Sequence, residues 1–431
     1  MAGGKNRPIA VDLFAGAGGM SLGFEQAGFD VKVAVEVDPI HGAIHQFNFP
    51  LTTVLPYSVT ELTGKDIRKL GNLGDRKIDV ICGGAPCQGY SLMGKRALDD
   101  PRNHLVKDFL RIVLELQPSY FVFENVKGLT VGKHQRFLKE LIAEFTAHGY
   151  RIRLPWQVLN AACYGVPQKR ERLFLIGSKQ GLPLPEYPTA STNLQVSEAD
   201  SVETTDDLSL LPLTPCCWDA IGDLPEVEDF EELVDCDRIY TEDWGHPSNY
   251  AREMRCLDAE SWHFGYRRYW NKFWLTSSVR TKHTEATRAR FKSTKQGQIE
   301  PVSRFFRLDA HNLANTLRAG TDAARGAHTS PRPIHYQTPR CISVREMARL
   351  HGFPDWFQFH VTKWHGARQV GNSVPPPLAR AIALEIMKCL AINPSKPELI
   401  LDLGDIELLS LNMKQAASYW DVPVSIVRNK Q

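Results

Sequence analysis

Apolar runs alternate with helical patterns from Ile9 to Ile176, and this alternation is the strongest constraint on the fold. Apolar residues at helical spacing predict helices over Met20–Ala27, His104–Leu116 and Gln135–Ala147. Short apolar runs predict strands at Ile9–Phe14, Val31–Val37, Ile78–Cys82, Tyr120–Phe123 and Arg172–Ile176. Such alternation predicts an α/β fold in which helices cover both faces of a mostly parallel, Rossmann-like sheet.

The alternation ends near Gly181, and regular periodicity returns only at Ser343. Val344–His351 and Leu378–Leu390 then have helical spacing. We therefore predict a first domain at 1–185, a second, smaller domain at 186–365, a return to the first domain at 366–393 and an extension at 394–431. In the extension, Met413–Trp420 and Val424–Lys430 have the length of two short helices. Half of a helix-turn-helix is one interpretation, and a plain docking hairpin is the favoured one.

Composition excludes several classes of protein. The chain has 431 residues, of which 43% are hydrophobic and 23% charged, so it can build two globular domains. No apolar run approaches the roughly 18 residues of a membrane span, and residues 1–8 are too short and polar for a signal peptide. Its nine cysteines include no CxxC pair or metal-type spacing. We expect a cytoplasmic protein with reduced thiols, no membrane contact and no metal.

The net charge is only +2, but charge is unevenly distributed. Acidic residues outnumber basic ones from Glu198 to Glu260, and the balance reverses from Arg267 to Arg307. Aromatic residues are interleaved with the basic stretch: Tyr266, Tyr269, Trp270, Phe273 and Trp274. Cations mixed with aromatic rings suit a nucleic-acid backbone, while the alternative is an ordinary solvated face.

A glycine-rich turn joins the first predicted strand to the first predicted helix, in the segment Asp12-Leu-Phe-Ala-Gly16-Ala-Gly18-Gly19. Glycines let the backbone approach a ligand, and the helix start offers free N–H groups. Glu36, at the end of the second strand, can accept both ribose hydroxyls of an adenosine. The turn therefore predicts an adenosine-type cofactor, the alternative being a plain tight connection. The dinucleotide pattern GxGxxG is absent, because Ser21 stands in place of its third glycine.

Cys87 lies in the segment Gly83-Gly-Ala-Pro-Cys87-Gln-Gly89, directly after a predicted strand. The carboxyl ends of parallel strands form the ligand-binding edge of such sheets, so a thiolate there can attack an electron-poor carbon. The alternative is a buried structural cysteine. Glu124 ends the next buried strand, where apolar surroundings can keep a carboxyl partly protonated. Because both residues end parallel strands, they can face one substrate.

These motifs, in this order, resemble the cytosine-5 DNA methyltransferases, and particularly the bacterial restriction–modification members. The resemblance covers about Val11 to Leu390 and rests on six ordered motifs. They are the glycine turn, Ala85-Pro-Cys-Gln88, Glu124-Asn-Val126, Gln168-Lys-Arg-Glu-Arg172, Arg345-Glu-Met-Ala-Arg-Leu-His-Gly-Phe-Pro354 and Gly371-Asn-Ser-Val374. It implies methyl transfer from S-adenosyl-L-methionine to C5 of a cytosine that is flipped out of the duplex.

The resemblance also implies the roles of individual residues. Cys87 is the expected nucleophile that adds to C6, Glu124 the contact to N3 and the amino group, Arg172 the contact to O2, and Arg170 a residue that helps hold the site. The expected cofactor contacts are Phe14, Gly16, Gly18, Glu36, Val37, Ser58, Leu105 and Asn372. Ser58 departs from the family, which often has an acidic residue there for the adenine amino group, so we expect weaker cofactor affinity.

Between the paired arginines and Arg345, the family has its sequence-reading region. Within it, Leu313-Ala-Asn-Thr-Leu317 resembles the family's Thr-Leu core. The residues expected to contact DNA are Gln88, Ser91, Thr316, Leu317, Arg318, Arg325 and Arg332. Arginine is a common reader of guanine, but phosphate contact alone is the favoured interpretation for any single one of these arginines. We expect a monomer that binds double-stranded DNA and acts separately from a cognate restriction endonuclease.

Three alternatives remain at this stage. A tRNA cytosine-5 methyltransferase would share the catalytic fold, but the roughly 170 residues from Leu173 to Ser343 favour DNA, since the tRNA enzymes have a shorter region there. A non-catalytic DNA-binding relative would usually lack the cysteine or the glutamate, and both are present. A dinucleotide oxidoreductase would explain only the glycine turn.

Overall fold

The computed structural model of the chain describes residues 7–86, 103–132, 134–194, 210–321 and 330–424. It confirms the predicted α/β fold class, with a mixed sheet at its centre. The strands of this sheet are β1 (Ile9–Leu13), β2 (Asp30–Val35), β3 (Thr53–Leu55), β4 (Val80–Gly83), β5 (Tyr120–Val126), β6 (Tyr150–Ile152), β7 (Gln157–Asn160) and β8 (Glu171–Lys179).

The sheet has the order β3-β2-β1-β4-β5-β8-β6, and β7 also pairs with β8. The first five strands in this order are parallel, whereas β8 runs antiparallel to β5, β6 and β7. The sequence predicted five of the eight strands. It missed β3, β6 and β7, which have only three or four residues each and so carry little periodic signal.

Helices cover both faces of the sheet. The helices of the first part of the chain are α1 (Gly19–Ala27), α2 (Pro39–Asn48), α3 (Gly64–Leu70), α4 (His104–Leu116) and α5 (His134–Ala147). Apolar residues of α3, α4 and α5 pack on one face, where Phe121 of β5 stacks on Phe145 of α5. The later helices are α6 (Cys217–Ile221), α7 (Asn249–Met254), α8 (Glu285–Ser293), α9 (Val344–His351), α10 (Lys363–Asn372), α11 (Pro376–Cys389) and α12 (Met413–Tyr419).

The other face of the sheet is covered by α1 together with α11, from the far end of the chain. Gly23 permits this contact, because a Cβ there would lie 2.5 Å from the Cβ of Ala379. A separate apolar cluster joins Met347 and Leu350 of α9 to Ile44 and Phe47 of α2. This cluster connects the predicted second domain to the first, and the domain limits themselves stay predictions.

The later part of the chain has little sheet. Two short pairs occur among its described residues: β9 (Ile239–Tyr240) with β11 (Trp274–Leu275), and β10 (Arg267–Arg268) with β12 (Ile400–Leu401). The helix predicted at Met413–Trp420 is confirmed as α12, which packs on α2. Trp420 Nε1 donates to the carbonyl of Pro39 at 3.1 Å. This contact agrees with a docking role, and residues 425–430 of the second predicted helix lie outside the described part of the chain.

The basic stretch divides into buried and exposed cations. Arg268 is 4% exposed, pairs with the Glu25 carboxylate and stacks over Trp356. Arg307 donates to backbone carbonyls, including that of Thr294. These two arginines hold the fold together and do not form a phosphate-binding surface. The exposed cations of the stretch remain candidates for DNA contact: Arg267, Lys272, Lys282, Lys292, Lys295 and Arg304.

A buried ion pair stabilises the start of α9. Glu346 forms a capping box with Ser343 and accepts from Arg340 Nη1 at 2.9 Å and Nη2 at 2.8 Å. Burial alone would raise the pKa of Glu346, but Arg340 outweighs it and lowers that pKa to about 2. Ionised Glu346 therefore stabilises the fold fully above the ordinary glutamate pKa, and this contribution is lost as the pH falls toward 2.

We expect Glu346→Gln to lower the free energy of unfolding by about 3 kcal/mol at neutral pH, because Arg340 loses a buried carboxylate partner. The difference in the free energy of unfolding between this variant and wild type should shrink as the pH is lowered below the ordinary pKa of a glutamate. Urea unfolding at several pH values measures both effects. Glu231→Gln, whose carboxylate is 88% exposed beside Arg280, is the matched control and should cost nothing measurable. An equal loss in both variants would contradict the assignment.

Candidate active site

Strands β4 and β5 end at the same edge of the sheet. Their last paired residues are Gly83 and Phe123, so Glu124 is the first residue of β5 beyond the pairing with β4. The sequence predicted that Glu124 would end its strand, but β5 continues to Val126 because β8 extends the pairing on its other side. Glu124 is therefore held by the sheet along one side and open toward the β4 loop on the other.

Glu124 forms an ion pair with Arg172, with 3.0 Å between Oε1 and Nε. The antiparallel register places Arg172 opposite Val126, diagonal to Glu124 on the same face of the sheet. Both side chains are nearly buried, at 12% and 14% exposure. Burial raises the pKa of Glu124, and the positive charges of Arg172 and Arg170 reduce that rise without cancelling it. The carboxyl can therefore keep a proton at a higher pH than an ordinary glutamate.

The loop that carries Cys87 is tied to β5. Asn125 Nδ2 donates to the carbonyl of Ala85 at 3.1 Å, and its Oδ1 accepts from the N–H of Val126 at 2.9 Å. Gly84 sits against the glutamate, since a Cβ there would lie 2.6 Å from Glu124 Oε2. Cys87 itself lies outside the described residues. The chain two residues before it is thus fixed beside Glu124.

The glycine turn has the shape expected of a cofactor cradle. Gly16 has a φ of +56° and no heavy atom within 4 Å of the position of a Cβ, so the turn is open on that side. Phe14, with a φ of +60°, also takes a conformation that is rare outside glycine. Glu36 accepts from the N–H of Gly16 at 2.9 Å and from that of Asp38 at 2.8 Å. The carboxylate is thereby fixed just after the end of β2, beside the glycine turn.

The other residues predicted to contact the cofactor differ in exposure. Leu105 is buried, Val37 and Ser58 are half-buried, and Asn372 is exposed at the end of α10. Gly18, at φ +105°, is the N-cap of α1 and is packed closely, because a Cβ there would lie 2.3 Å from the ring of Phe49. Gly18 therefore shapes the turn through packing.

A buried polar trio beneath the turn was missed by the sequence analysis. Ser21 Oγ donates to Asp12 at 2.6 Å and lies 3.0 Å from His45 Nε2. Burial raises the pKa of Asp12 to about 7, even though the Ser21 hydrogen bonds lower it. Burial also lowers the pKa of His45 to about 3, so the imidazole is neutral at physiological pH. Ser21, noted above only as a missing glycine, thus links the turn to α2.

The paired-arginine motif contacts the predicted recognition segment. Thr316 and Arg318 are exposed, and the Thr316 hydroxyl donates to the carbonyl of Lys169 at 2.6 Å. Leu317 between them is buried, and Arg170, which is 1% exposed, donates to its carbonyl at 3.1 Å. Thr316 and Arg318 are therefore exposed, while the Thr316 hydroxyl and the backbone of Leu317 anchor the segment.

Arg332 is 5% exposed and donates to the carbonyl of Ile342 and to the hydroxyl of Thr281. Burial lowers its pKa. The structure thus places this guanidinium inside the protein, and its predicted contact with DNA would require a rearrangement. Gln88, Ser91 and Arg325, the other predicted DNA contacts, lie outside the described ranges.

Comparison with known proteins identifies the family to which this chain belongs. The model of the family "C-5 cytosine-specific DNA methylase" matches residues 10–388. The chain belongs to the C-5 cytosine-specific DNA methylases. It is 51% identical over 424 residues to the Type II methyltransferase M.XorII of Xanthomonas oryzae pv. oryzae, covering 98% of this chain and 95% of that one. It is 33% identical to the Type II methyltransferase M1.HphI of Haemophilus parahaemolyticus, covering 88% and 86%.

Solved structures agree with this family. A structure described as a DNA modification methyltransferase encoded within an E. coli prophage superposes with a TM-score of 0.67 at 31% identity, covering 89% of this chain and 100% of that one. The S. pombe Dnmt2 methyltransferase shares the fold, with a TM-score of 0.52 at 16% identity over 90% of this chain and 100% of its own. The methylase is thus a DNA cytosine-5 methyltransferase, and S-adenosyl-L-methionine is the methyl donor of its family.

The described part of the methylase was expected to have neither a membrane span nor a metal site. Within the described ranges, no helix is both long and apolar enough to cross a bilayer. The same ranges contain no group of three or more His, Cys, Asp or Glu side chains arranged to hold a metal ion.

We expect Gly84→Ala to lower kcat about 100-fold. The new methyl group would lie too close to Glu124 Oε2 and would push the carboxyl away from the position in which it can contact the base. DNA binding should be retained. Methyl transfer from labelled cofactor, with a parallel DNA-binding assay, measures the two effects. Gly128→Ala is the matched control, since a Cβ there meets nothing closer than 3.9 Å. Normal turnover by Gly84→Ala would show that the position of Glu124 is not critical.

Proposed function

We propose that the methylase modifies cytosine through a transient bond between the Cys87 sulfur and C6 of a base flipped out of the duplex. C5 of cytosine is a poor nucleophile, and addition of a thiolate at C6 turns C5 into an enamine carbon. The bound donor supplies an electrophilic methyl group. The electron pair at C5 forms the new carbon–carbon bond as the methyl–sulfur bond of the donor breaks and S-adenosylhomocysteine leaves. The C5 proton then passes to solvent, and the electrons of the C5–H bond expel Cys87 as a thiolate, which restores the aromatic ring.

Glu124 stabilises the ring during this addition. When the thiolate adds at C6, negative charge gathers around N3, and a protonated carboxyl can donate to that nitrogen. The observation that carries the proposal is the position of Glu124, buried, with a raised pKa, and directly beside the backbone that leads to Cys87. In this proposal Arg172, whose Nε lies 3.0 Å from Glu124 Oε1, donates to O2 of the same ring.

Arg170 has a different role in this proposal. Its terminal nitrogens donate to the carbonyls of Leu317, Gly371 and Ser373, so the guanidinium has no free face for a base. It positions the site, as the sequence analysis expected of a residue that helps hold it. The residues that would hold the cofactor are Phe14, Gly16, Gly18, Glu36, Val37, Ser58, Leu105 and Asn372. Glu36 would accept from the ribose hydroxyls, Val37 would pack against the adenine, and the Ser58 hydroxyl could accept from the adenine amino group.

The proposed substrate is one specific sequence of double-stranded DNA. Thr316 and Arg318 are exposed on a segment anchored beside the catalytic strand, which suits contact with a duplex whose base has been extruded. The relatives named above are Type II methyltransferases, so we propose that the enzyme protects DNA as a monomer alongside a separate cognate endonuclease. Methylome sequencing of a host that expresses the chain tests this, and methylation confined to tRNA would refute it.

We expect Cys87→Ser to abolish methyl transfer while DNA binding remains largely intact, because the hydroxyl is a far weaker nucleophile than a thiolate. DNA containing 5-fluorocytosine should be trapped covalently by wild type, since fluorine cannot leave as a proton does. Denaturing electrophoresis detects the adduct, and Cys236→Ser, at an exposed cysteine, should still form it. Normal turnover by Cys87→Ala would overturn the mechanism.

We expect the rate of a single methyl transfer to fall as the pH rises through the raised pKa of Glu124, because only the protonated carboxyl can donate to N3. Glu124→Gln should lower the rate by about 10²–10⁴ and remove this alkaline decline. Arg172→Gln should move the decline to higher pH, since Arg172 lowers the pKa of Glu124. Single-turnover assays across the pH range measure all three. An unchanged alkaline decline in Glu124→Gln would assign it to another group.

A further inference from the structure

The backbone of Leu317 is bound on both sides by the paired-arginine motif. Its N–H donates to Gln168 Oε1 at 3.0 Å, and its carbonyl accepts from Arg170 Nη1 at 3.1 Å. Both side chains lie in the interior, with Gln168 at 0% exposure and Arg170 at 1%. These buried hydrogen bonds would be costly to break, because no solvent replaces them.

The same two side chains meet again at Ser373 through His351. Gln168 Nε2 lies 3.0 Å from His351 Nδ1, and His351 Nε2 lies 2.9 Å from the carbonyl of Ser373. That carbonyl also accepts from Arg170 Nη2, at 2.9 Å. The bonds therefore form a closed circuit that runs from Leu317 through Gln168, His351, Ser373 and Arg170 back to Leu317.

The circuit determines the state of the imidazole. Gln168 Oε1 accepts from Leu317, so its amide nitrogen is the donor that faces Leu350 and His351. His351 Nδ1 must then accept, and Nε2 must carry the proton that is donated to Ser373. Burial, with the nearby charge of Arg170, keeps the pKa of His351 well below its usual value. The ring is thus neutral, with one tautomer favoured.

We propose that His351 is a positioning residue that couples the DNA-facing segment around Leu317 to the cofactor-facing turn at Asn372. Thr316 and Arg318 flank Leu317, while Asn372 lies between Gly371 and Ser373, whose carbonyls both accept from Arg170 Nη2. The inference rests on the proposed roles of these exposed residues. It goes beyond them by assigning the connection between the two ligands to one imidazole.

The backbones of the two segments are also in direct contact. A Cβ on Gly371 would lie 2.5 Å from the amide nitrogen of Ala319 and 2.6 Å from the carbonyl carbon of Arg318. A shift of the segment around Leu317 would therefore displace the backbone at the end of α10. Because the circuit has little freedom, we expect DNA and cofactor to favour the same arrangement of it, and each to tighten binding of the other.

The test compares the DNA affinity of each variant with and without S-adenosylhomocysteine, using a duplex that the wild-type enzyme methylates. We expect the cofactor product to tighten DNA binding about fivefold or more in wild type. His351→Leu should reduce this ratio to less than about twofold, because Leu neither accepts from Gln168 nor donates to Ser373. His351→Gln, which has both a donor and an acceptor, should restore most of the ratio.

Tyr250→Phe is the matched control. The Tyr250 hydroxyl, on α7, donates to the carbonyl of Arg349, which lies in α9 together with His351. Loss of the hydroxyl therefore removes one buried hydrogen bond outside the circuit. This variant should keep the wild-type ratio. The proposal is overturned if wild type shows no coupling, if His351→Leu keeps the full ratio, or if Tyr250→Phe loses as much. Arg318→Ala and Asn372→Ala test the underlying contacts separately, through DNA affinity and cofactor affinity alone.

A second measurement holds even if His351→Leu fails to fold. Nitrogen-15 NMR of histidine-labelled wild type should show that the ring of His351 is protonated at Nε2 only and does not titrate between pH 5 and 8, the range of ordinary histidines. His351→Gln should lack this signal and thereby assign it. Protonation at Nδ1, or titration near the ordinary value, would show that the circuit does not exist in solution.

Discussion

The pairing of β5 with β4 on one side and β8 on the other is the constraint on which the catalytic site depends. Parallel pairing brings the carboxyl end of β4, and so the loop that leads to Cys87, beside Glu124. Antiparallel pairing with β8 brings Arg172 to the same carboxyl from the opposite direction. One central strand thereby gathers residues that are far apart in sequence, and the apolar faces around it supply the burial that raises the Glu124 pKa.

Much of this site could be predicted from sequence, because its residues follow long apolar strands. β1, β4 and β5 were placed within two or three residues, and the rule that parallel strands share a carboxyl edge then grouped Cys87 with Glu124. The extension of β5 to Val126 was not predictable, since it depends on pairing with β8, some fifty residues later. The Leu317–Gln168 contact joins residues 149 positions apart, and no local pattern marks it.

Charge patterning was a weaker guide than motif order. The basic stretch from Arg267 suggested a single DNA-binding surface, yet Arg268 is buried against Glu25 and Trp356 while Lys282 is exposed. Sequence cannot separate these cases, because an arginine that donates to buried carbonyls and an arginine that binds phosphate have the same sequence signal. The same difficulty applies to Arg332, which was expected to contact a base edge or a phosphate and lies inside the protein.

The contact of α1 with α11 has a consequence for how the protein folds while it is being synthesised on the ribosome. Met20 and Phe24 of α1 are covered by apolar residues of α11, which the ribosome adds about 350 residues later. At roughly 5–20 residues per second, that interval lasts on the order of 20–70 seconds. During it, the nascent sheet has one apolar flank without its final cover. Completion of the catalytic fold is therefore a late event in translation, and that uncovered flank is where a chaperone would bind.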